Sequence, residues 1–190
     1  MDLLVIGLGL VVLILAVFLV IVYNSLVGLQ KRTNNAWAQI DVQLKRRADL
    51  IPNLIETVKG YARFEKKVLT QVTEARAAIM KAKGPKASAE ADNMLSGALK
   101  SLFAVSENYP TLKANENFKS LQEEFATTEN KISYARQFYN DSVMNFNTSI
   151  AQVPGNIVAG LFGLKTPFEY FEVKDSSIRE APKADFSDLG

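Results

Sequence analysis

Cysteine and histidine are both absent from the 190 residues of the chain. Without cysteine there can be no disulfide and no thiol nucleophile, and without histidine the most common general base in enzymes is missing. The two absences also exclude nearly every zinc site, as well as di-iron bundles, which need Glu-x-x-His pairs. We therefore predict no catalytic residue, no metal and no cofactor. An enzyme that relies on carboxylates, lysine and serine alone is the alternative that stays open.

Turn-forming residues and excess charge are also scarce. The chain has 10 glycines and 6 prolines, several of which mark borders between segments, at Gly84-Pro85, Pro110 and Pro154-Gly155. No segment alternates polar and apolar residues with a period of two, as strands do. The net charge of +2 is too small and too evenly mixed for a nucleic-acid surface, so no nucleic-acid partner is predicted. The predicted fold class is all-α, with an N-terminal transmembrane helix followed by an antiparallel up-and-down bundle of long helices.

Residues Leu3 to Val22 form an uninterrupted apolar run without a charge. A helix of about 20 residues spans about 30 Å, the thickness of the hydrocarbon core of a bilayer. A buried core helix of this length would keep a polar face. A cleaved signal peptide would need a basic start and a small-x-small cleavage site, neither of which is seen. We interpret residues 1–24 as a single uncleaved anchor that contacts membrane lipid through residues 3–22.

Basic residues follow the apolar run but do not precede it. Lys31 and Arg32 lie close behind it, and Lys45, Arg46 and Arg47 lie further along. Cytoplasmic flanks of membrane helices are enriched in lysine and arginine. The pattern therefore predicts a single-pass protein of the cell membrane whose C-terminal domain is cytoplasmic.

Three helical segments are predicted in the bundle domain, residues 25–153. The first runs from the anchor to about Lys83, the second from Ser88, a suitable N-cap, to about Glu107, and the third starts after Pro110. The short connections between them predict antiparallel neighbours. Residues recur at alternating spacings of three and four, as in helices packed in coiled-coil fashion. The stripes are Trp37, Ile40, Leu44, Arg47, Ile51, Leu54, Val58, Tyr61, Glu65, Val68, Val72, Ala75 and Ile79; Ala91, Leu95, Ala98, Leu102 and Val105; and Phe118, Leu121, Phe125, Thr128, Ile132, Ala135, Tyr139, Ser142 and Phe146.

A break is predicted in the first segment between residues 48 and 52. Asp49 is a suitable N-cap, and Pro52 would then lie in the first helical turn. The residue before a proline also disfavours helical geometry. The break is either a kink or a reversal of the chain. The spacing of the stripe continues on both sides of it, which favours the kink.

Polar residues interrupt the predicted stripes. Arg47 and Glu65 lie on the first stripe, where their charged ends either extend to solvent or pair across helices and fix the register. With Asp49 and Asn140, they are our candidates for register-fixing or interhelical polar contacts. A group of asparagines and tyrosines in the third segment predicts either interhelical hydrogen bonds or a polar strip for a partner. This group consists of Asn130, Tyr134, Tyr139, Asn140, Asn145 and Asn147.

An apolar segment, residues 154–173, follows the predicted bundle. Asn156 can cap a short helix from Ile157 to Leu161, and aromatic residues continue beyond it. The segment either folds back on the bundle, docks on a neighbouring subunit or lies on the membrane surface. Residues 174–190 are polar, mixed in charge and predicted to be disordered. The candidate oligomer contacts in the segment are Phe162, Phe168, Tyr170 and Phe171.

Several stretches of the sequence occur together in a specific combination. They are Tyr23-Asn24, residues 36–65 with the motif KRRADLIPNL, EARAA at 74–78, residues 116–147 with the motifs TEN and YND, and PGNIVAGLFGLK from Pro154. With this combination the sequence resembles the LemA family of bacterial membrane-anchored helical proteins. The resemblance covers the chain from the anchor to about Val173. It implies a transmembrane helix followed by an up-and-down bundle, often of four helices, a number that favours a reversal at Asp49. No enzymatic activity or cofactor defines the family, so the resemblance implies no catalytic residue.

An anchor, long helical stripes and an apolar segment beyond the bundle favour a structural role. The predicted function is a non-enzymatic, membrane-anchored helical scaffold that self-associates into a homo-oligomer. The alternative is an adaptor or regulator that binds another membrane or envelope protein, such as a membrane protease. A third hypothesis is lipid binding through the apolar segment or through the basic residues 45–47.

Overall fold

The computed structural model describes residues 2–61 and 65–172. Within those two ranges the chain forms six helices and no strand, so the predicted all-α class is confirmed. The predicted disorder of residues 174–190 concerns residues outside these ranges. The helices are α1 (Asp2–Lys59), α2 (Lys66–Lys81), α3 (Gly84–Ser106), α4 (Pro110–Ala114), α5 (Glu116–Ala151) and α6 (Gly155–Phe162).

Helix α1 joins the apolar run to the bundle without a break. It has 58 residues, which corresponds to a length of about 87 Å at a rise of about 1.5 Å per residue. The side chains of residues 3–21 are exposed, and this part of α1 is long and apolar enough to cross a membrane. The rest of α1 packs in the bundle, with Ala36, Ile40 and Leu44 among its buried residues. The candidate membrane span and the bundle therefore share one helix.

The chain reverses after Lys59 and not between residues 48 and 52. Pro52 lies inside α1, and Asp49 is an exposed residue of the same helix. The predicted N-cap at Asp49 is therefore wrong, and so is a reversal at that point. A kink, the other alternative, would keep the direction of the chain, and α1 does continue past Pro52 to Lys59. The predicted first segment is in fact two helices, because α2 begins at Lys66 after the reversal.

Pro52 is accommodated in α1 with the help of a side chain of α2. A proline has no N–H, so the carbonyl of Ala48, one helical turn earlier, loses its usual donor. Arg76 Nε donates a hydrogen bond to this carbonyl at 3.0 Å. Ala48 is fully buried, where an unpaired carbonyl is costly. Val68 near the start of α2 shares a hydrophobic cluster with Val58 near the end of α1, so the two helices run antiparallel.

The later helices begin at points that differ from the prediction. Helix α3 begins at Gly84, whose φ of 81° lets the chain turn. Ser88 is a buried residue inside α3, so the predicted N-cap at Ser88 is wrong. The predicted third segment is divided at Asn115 into α4 and α5. Asn115 caps α5, since its Oδ1 accepts a hydrogen bond from Phe118 N at 3.1 Å.

Helix α5 packs antiparallel along α1. Thr33 Oγ1 donates to Ser142 O at 3.2 Å, and Arg47, further along α1, pairs with Glu129, which is earlier in α5. The predicted stripe of α5 is buried except for half-buried Ala135. In the half of the bundle that is remote from the apolar run, α2, α3 and α4 complete a core with α1 and α5. In the nearer half, α1 and α5 pack against Phe168 and Phe171, which follow α6, and against Ile79 of α2 and Ala89 of α3.

Candidate functional site

The tail, our name for residues 164–172, lies along α5 and has no regular secondary structure of its own. Asn147 donates through Nδ2 to Phe168 O at 2.9 Å and accepts at Oδ1 from Phe168 N at 2.9 Å. Asn140 makes the same pair of bonds with Phe171, at 3.2 Å and 2.9 Å. Each side-chain amide thus pairs with both backbone groups of one tail residue. Residue numbers fall along α5 as they rise along the tail, so the two run antiparallel.

Aromatic side chains fill the space between the tail, α1 and α5. Phe171 is 1% exposed, and its ring centroid lies 6.3 Å from that of Trp37. Trp37 also contacts Tyr139 at 5.6 Å, and Phe146 contacts Phe168 edge-on at 5.1 Å. Burial of such large rings is a main source of packing energy. Phe168 and Phe171 of the tail therefore pack against the core of their own chain.

The hydroxyl of Tyr139 adds a further polar contact to the tail. It donates a hydrogen bond to the backbone oxygen of Glu169 at 2.8 Å. Burial, together with the negative charge of the Glu169 side chain, raises the pKa of Tyr139 to about 12. The hydroxyl therefore stays protonated at neutral pH and remains available as a donor to the tail.

A buried ion-pair cluster joins three helices beyond the tail. Arg47 Nη1 of α1 lies 2.6 Å from Asp92 Oδ1 of α3 and 2.7 Å from Glu129 Oε2 of α5. The Arg47 side chain is 4% exposed and that of Asp92 8%, whereas Glu129 is half exposed. Desolvation by burial raises the pKa of Asp92 above its usual value of 3.8, although the Arg47 charge acts in the opposite direction. The cluster links α1, α3 and α5 at one level of the bundle.

The four candidates for interhelical polar contacts have different surroundings. Arg47 contacts two other helices through the ion-pair cluster. Asn140 binds the tail rather than a helix. Asp49 and Glu65 are exposed, and the backbone carbonyl of Glu65 accepts a hydrogen bond from Val68 N at 3.1 Å at the start of α2. Of the four, Arg47 is thus the residue that the structure places between helices.

Sequence reasoning missed Arg76, Asp92 and Glu129, the partners of buried polar groups. Asp92 carries a readable signal, because it lies on the apolar face of α3 one turn before Leu95. A carboxylate buried on such a face needs a cationic or hydrogen-bonding partner. Arg76 and Glu129 lie at half-buried and exposed positions, where charged residues are usual. The sequence therefore contains no comparable signal for these two.

The four candidate oligomer contacts are divided between the core and the surface. Phe168 and Phe171 pack within their own chain, as described above. Phe162 is 55% exposed and Tyr170 is 37% exposed. The ring of Phe162 lies 4.7 Å from that of Tyr23 in α1. Phe162 and Tyr170 therefore keep surface that a neighbouring molecule can reach.

A second surface, which we call the α1/α5 groove, lies open between these two helices. Val42 of α1 is 61% exposed, and Tyr134 and Phe138 of α5 are 74% and 38% exposed. Gln43 also lines the groove, and its Oε1 is buried without a hydrogen-bond partner among the described residues. The groove thus combines apolar side chains with an unsatisfied acceptor.

The chemistry of these sites is that of binding. The amides of α5 hold an extended segment through its backbone, and the aromatic rings hold its side chains. The buried carboxylate of Asp92 is paired with an arginine. Among residues 2–61 and 65–172, no group of three or more His, Cys, Asp or Glu side chains is placed to hold a metal ion.

These features define the class of protein: an all-α antiparallel bundle whose first helix carries a candidate membrane span and whose tail is held by asparagines. The sequence model of the LemA family matches residues 36–186 of the chain. The chain therefore belongs to the LemA family, and the resemblance seen in its motifs is confirmed.

The chain is similar to two magnetosome proteins and to a LemA protein. Magnetosome protein MamQ 2 of Paramagnetospirillum magneticum is 26% identical over 178 residues, which cover 80% of this chain and 65% of the relative. Magnetosome protein MamQ of Magnetospirillum gryphiswaldense is 25% identical with the same coverage. Protein LemA of Metamycoplasma hominis is 28% identical over 141 residues, which cover 72% of this chain and 63% of the relative. The chain thus spans less than two thirds of the length of these relatives.

Proposed function

We propose that the protein is a non-enzymatic, single-pass scaffold of the cell membrane that associates with other copies of itself. The exposed apolar part of α1 supports membrane attachment, since it is long and apolar enough to span a bilayer. Lys31 and Arg32, which follow the span, support a cytoplasmic location of the bundle. Because α1 continues from the span into the bundle, association of the bundles also organises the spans.

The α1/α5 groove is the observation that carries self-association. Val42, Tyr134 and Phe138 expose large apolar surfaces on two adjacent helices. A contiguous exposed apolar patch is typical of protein interfaces, in whose centres aromatic residues are enriched. A molecule bound in the groove would remove these side chains from water. The groove is therefore the surface through which we expect copies to associate.

The polar residues of the groove favour a second copy as its occupant. Asn35 and Gln39 line the groove and carry exposed side-chain amides. Side-chain amides both donate and accept hydrogen bonds. Two copies related by a twofold axis can therefore pair these amides with each other, because such an interface is self-complementary. A different membrane protein bound in the same groove is the adaptor alternative.

The mass of particles extracted in mild detergent tests the proposal. The double variant Val42→Glu, Tyr134→Glu places two charges in the groove. Met144→Glu is a matched control, because Met144 is 51% exposed on α5 but does not line the groove. We expect particles with the mass of a dimer for the unmodified chain and the control, and particles with the mass of a monomer for the double variant. The helical content of each variant, from circular dichroism, shows that the charges have not unfolded the bundle.

Other results would redirect or end the proposal. An unchanged mass of the double variant would exclude the groove and leave Phe162 and Tyr170 as contacts to test. A monomeric unmodified chain would end self-association. If that monomer cross-linked in cells to one other membrane protein, the adaptor function would replace the scaffold function.

The cytoplasmic orientation has its own test. The chain has no cysteine, so Met94→Cys introduces a single thiol on the bundle surface, away from the α1/α5 groove. A membrane-impermeant maleimide should label it in inside-out vesicles and not in right-side-out vesicles. The opposite pattern would place the bundle outside the cytoplasm.

A further inference from the structure

Helix α6 is apolar on nearly its whole circumference. Its sequence is GNIVAGLF, in which Asn156 is the single polar side chain. A helix that is apolar all round is normally buried in a protein core or in a membrane. Helix α6 is buried only in part, so its other side lacks an apolar environment.

One side of α6 packs on the last turns of the span. Val158 and Ala159 are fully buried, in a cluster with Leu26. Val22 and Tyr23 pack against the same cluster. This contact places α6 beside the residues where the apolar run of α1 ends.

The other side of α6 exposes large apolar side chains. Ile157 is 56% exposed, Leu161 68% and Phe162 55%, and Val153, just before the helix, is 74% exposed. Ile157 and Leu161 are four residues apart and lie on the same face. The other residues that the structure describes leave this face exposed, and residues 164–172 continue from α6 along α5.

We infer that α6 is a second membrane contact, whose exposed face inserts into the leaflet next to the end of the span. The inference rests on the proposed membrane anchoring of α1. If residues 3–22 span the hydrocarbon, then Val22 and Tyr23 lie at its boundary, where tyrosine is enriched. The contact of α6 with these two residues places its exposed face at the same depth. The occupant of the face is therefore the acyl-chain region of the lipid bilayer.

A nearby lysine fits this position. Lys165 lies over Gly160 of α6, since a Cβ added at Gly160 would be 3.3 Å from Lys165 Nζ. Lysines next to an apolar segment extend their ammonium groups to the headgroups while their stems stay in contact with apolar surface. Lys165 is exposed and can therefore meet anionic headgroups beside the inserted face.

Two attachment points have a consequence for the bundle. A single span leaves the protein free to rotate about the span axis and to tilt. With α6 also in the leaflet, tilting of the span away from α6 would lift Ile157 and Leu161 out of the lipid. The bundle, and with it the α1/α5 groove, therefore has a preferred orientation relative to the membrane plane.

Depth-dependent fluorescence quenching tests the inference on the full-length protein. Single-cysteine variants Ile157→Cys and Leu161→Cys are labelled with an environment-sensitive fluorophore in detergent and reconstituted into phosphatidylcholine–phosphatidylglycerol vesicles containing doxyl-labelled lipid. Val12→Cys, within the span, is the positive control. Met94→Cys, on α3 of the bundle, is the negative control, because Met94 is similarly exposed at 55% and does not line the α1/α5 groove. We expect quenching at Ile157→Cys and Leu161→Cys to approach that at Val12→Cys and to exceed that at Met94→Cys several-fold.

The controls separate this inference from the proposed anchoring. If Val12→Cys is quenched while both α6 variants behave like Met94→Cys, α6 does not enter the membrane and the inference is overturned. If Val12→Cys is not quenched, the anchoring itself is wrong and the inference falls with it. Disulfide cross-links between copies through Ile157→Cys, without lipid quenching, would show that a second copy covers the face instead, and this result also overturns the inference.

Discussion

Pro52 shows at the scale of single residues how the bundle tolerates a proline in a long helix. A proline inside a helix costs about 3 kcal/mol, part of which is the lost hydrogen bond to the carbonyl one turn earlier. Here Arg76 Nε donates to that carbonyl, on Ala48. The charged residue on the neighbouring helix thus replaces the missing backbone donor.

Arg76→Ala is predicted to lower the free energy of unfolding by about 1–3 kcal/mol, because it leaves the buried Ala48 carbonyl unpaired. In the background of Pro52→Ala, which restores a backbone N–H, the same substitution should cost much less. Urea unfolding of the two single variants and the double variant measures the difference. An equal loss in both backgrounds would mean that Arg76 does not act through the Ala48 carbonyl.

Asp92 makes the stability of the bundle depend on pH in an identifiable direction. Its pKa is raised above 3.8 in the folded protein by desolvation. The folded state therefore binds the proton more tightly than the unfolded state, and the contribution of Asp92 is fully present below the unfolded pKa. It is lost as the pH rises through the raised pKa.

Asp92→Asn removes this titration and serves as the reference. We expect the free energy of unfolding of the unmodified chain, relative to Asp92→Asn, to fall as the pH rises from below 3.8 through the raised pKa. Denaturation curves at a series of pH values check this sign. A difference that stays constant with pH, or that grows as the pH rises, would contradict the upward shift.

At the scale of elements, periodicity predicted which faces are buried but not where one helix ends. The stripe from Phe118 to Phe146 follows the predicted spacing because the same face of α5 is buried along the length of the helix. The same spacing also continues from Val58 to Val68, across the reversal between α1 and α2. A short turn that returns the stripe to the same core keeps its phase, so periodicity cannot detect it. The local signal was Lys59-Gly60, a basic last turn followed by glycine.

The tail site was only partly predictable. The group of asparagines and tyrosines predicts interhelical contacts or a strip for a partner. In the structure, Tyr139, Asn140 and Asn147 hold the tail. A side-chain amide can pair with any backbone that approaches it, and the sequence does not say which one does. Which tail residues pair with the amides of α5 depends on where the chain continues after α6.

The double variant Asn140→Asp, Asn147→Asp is predicted to release the tail. Each substitution keeps the acceptor but replaces the Nδ2 donor with an oxygen facing the carbonyl of Phe171 or Phe168. Hydrogen exchange of the backbone amides of these two tail residues should become much faster. Asn145→Asp adds one negative charge at an exposed position of α5 and should leave the hydrogen exchange of the tail amides unchanged. Unchanged protection in the double variant would show that aromatic packing alone holds the tail.

The start of α6 depends on a close approach that glycine allows. A Cβ at Gly155 would lie 2.0 Å from the backbone oxygen of Ser149, so Gly155→Ala must displace α6 from α5. We expect a loss of about 1–3 kcal/mol in the free energy of unfolding, typical of overpacking. At Gly160 a Cβ would meet only the flexible end of Lys165. Gly160→Ala should therefore be neutral or stabilising by up to about 1 kcal/mol, and equal effects of the two variants would contradict the role of Gly155.

At the scale of the whole molecule, α1 carries the candidate membrane span in its first part and packs in the bundle in its second part. The side chains of residues 3–21 are exposed, and the hydrophobic clusters of the bundle begin at Val22. Removal of residues 1–21 should therefore change the free energy of unfolding of the bundle by no more than about 0.5 kcal/mol, the usual range for surface changes. Urea unfolding of the truncated and full-length chains in the same detergent measures this difference.

The same truncation separates folding from assembly. A membrane confines its proteins to two dimensions and so raises their effective concentration for weak contacts. We therefore expect the truncated bundle to remain folded but to associate through the α1/α5 groove only at higher concentrations than the anchored protein, as measured by sedimentation equilibrium and by cross-linking in vesicles. Association at equal concentrations would show that the groove binds strongly without help from the membrane. Loss of folding would instead show that residues 1–21, although exposed, support the bundle.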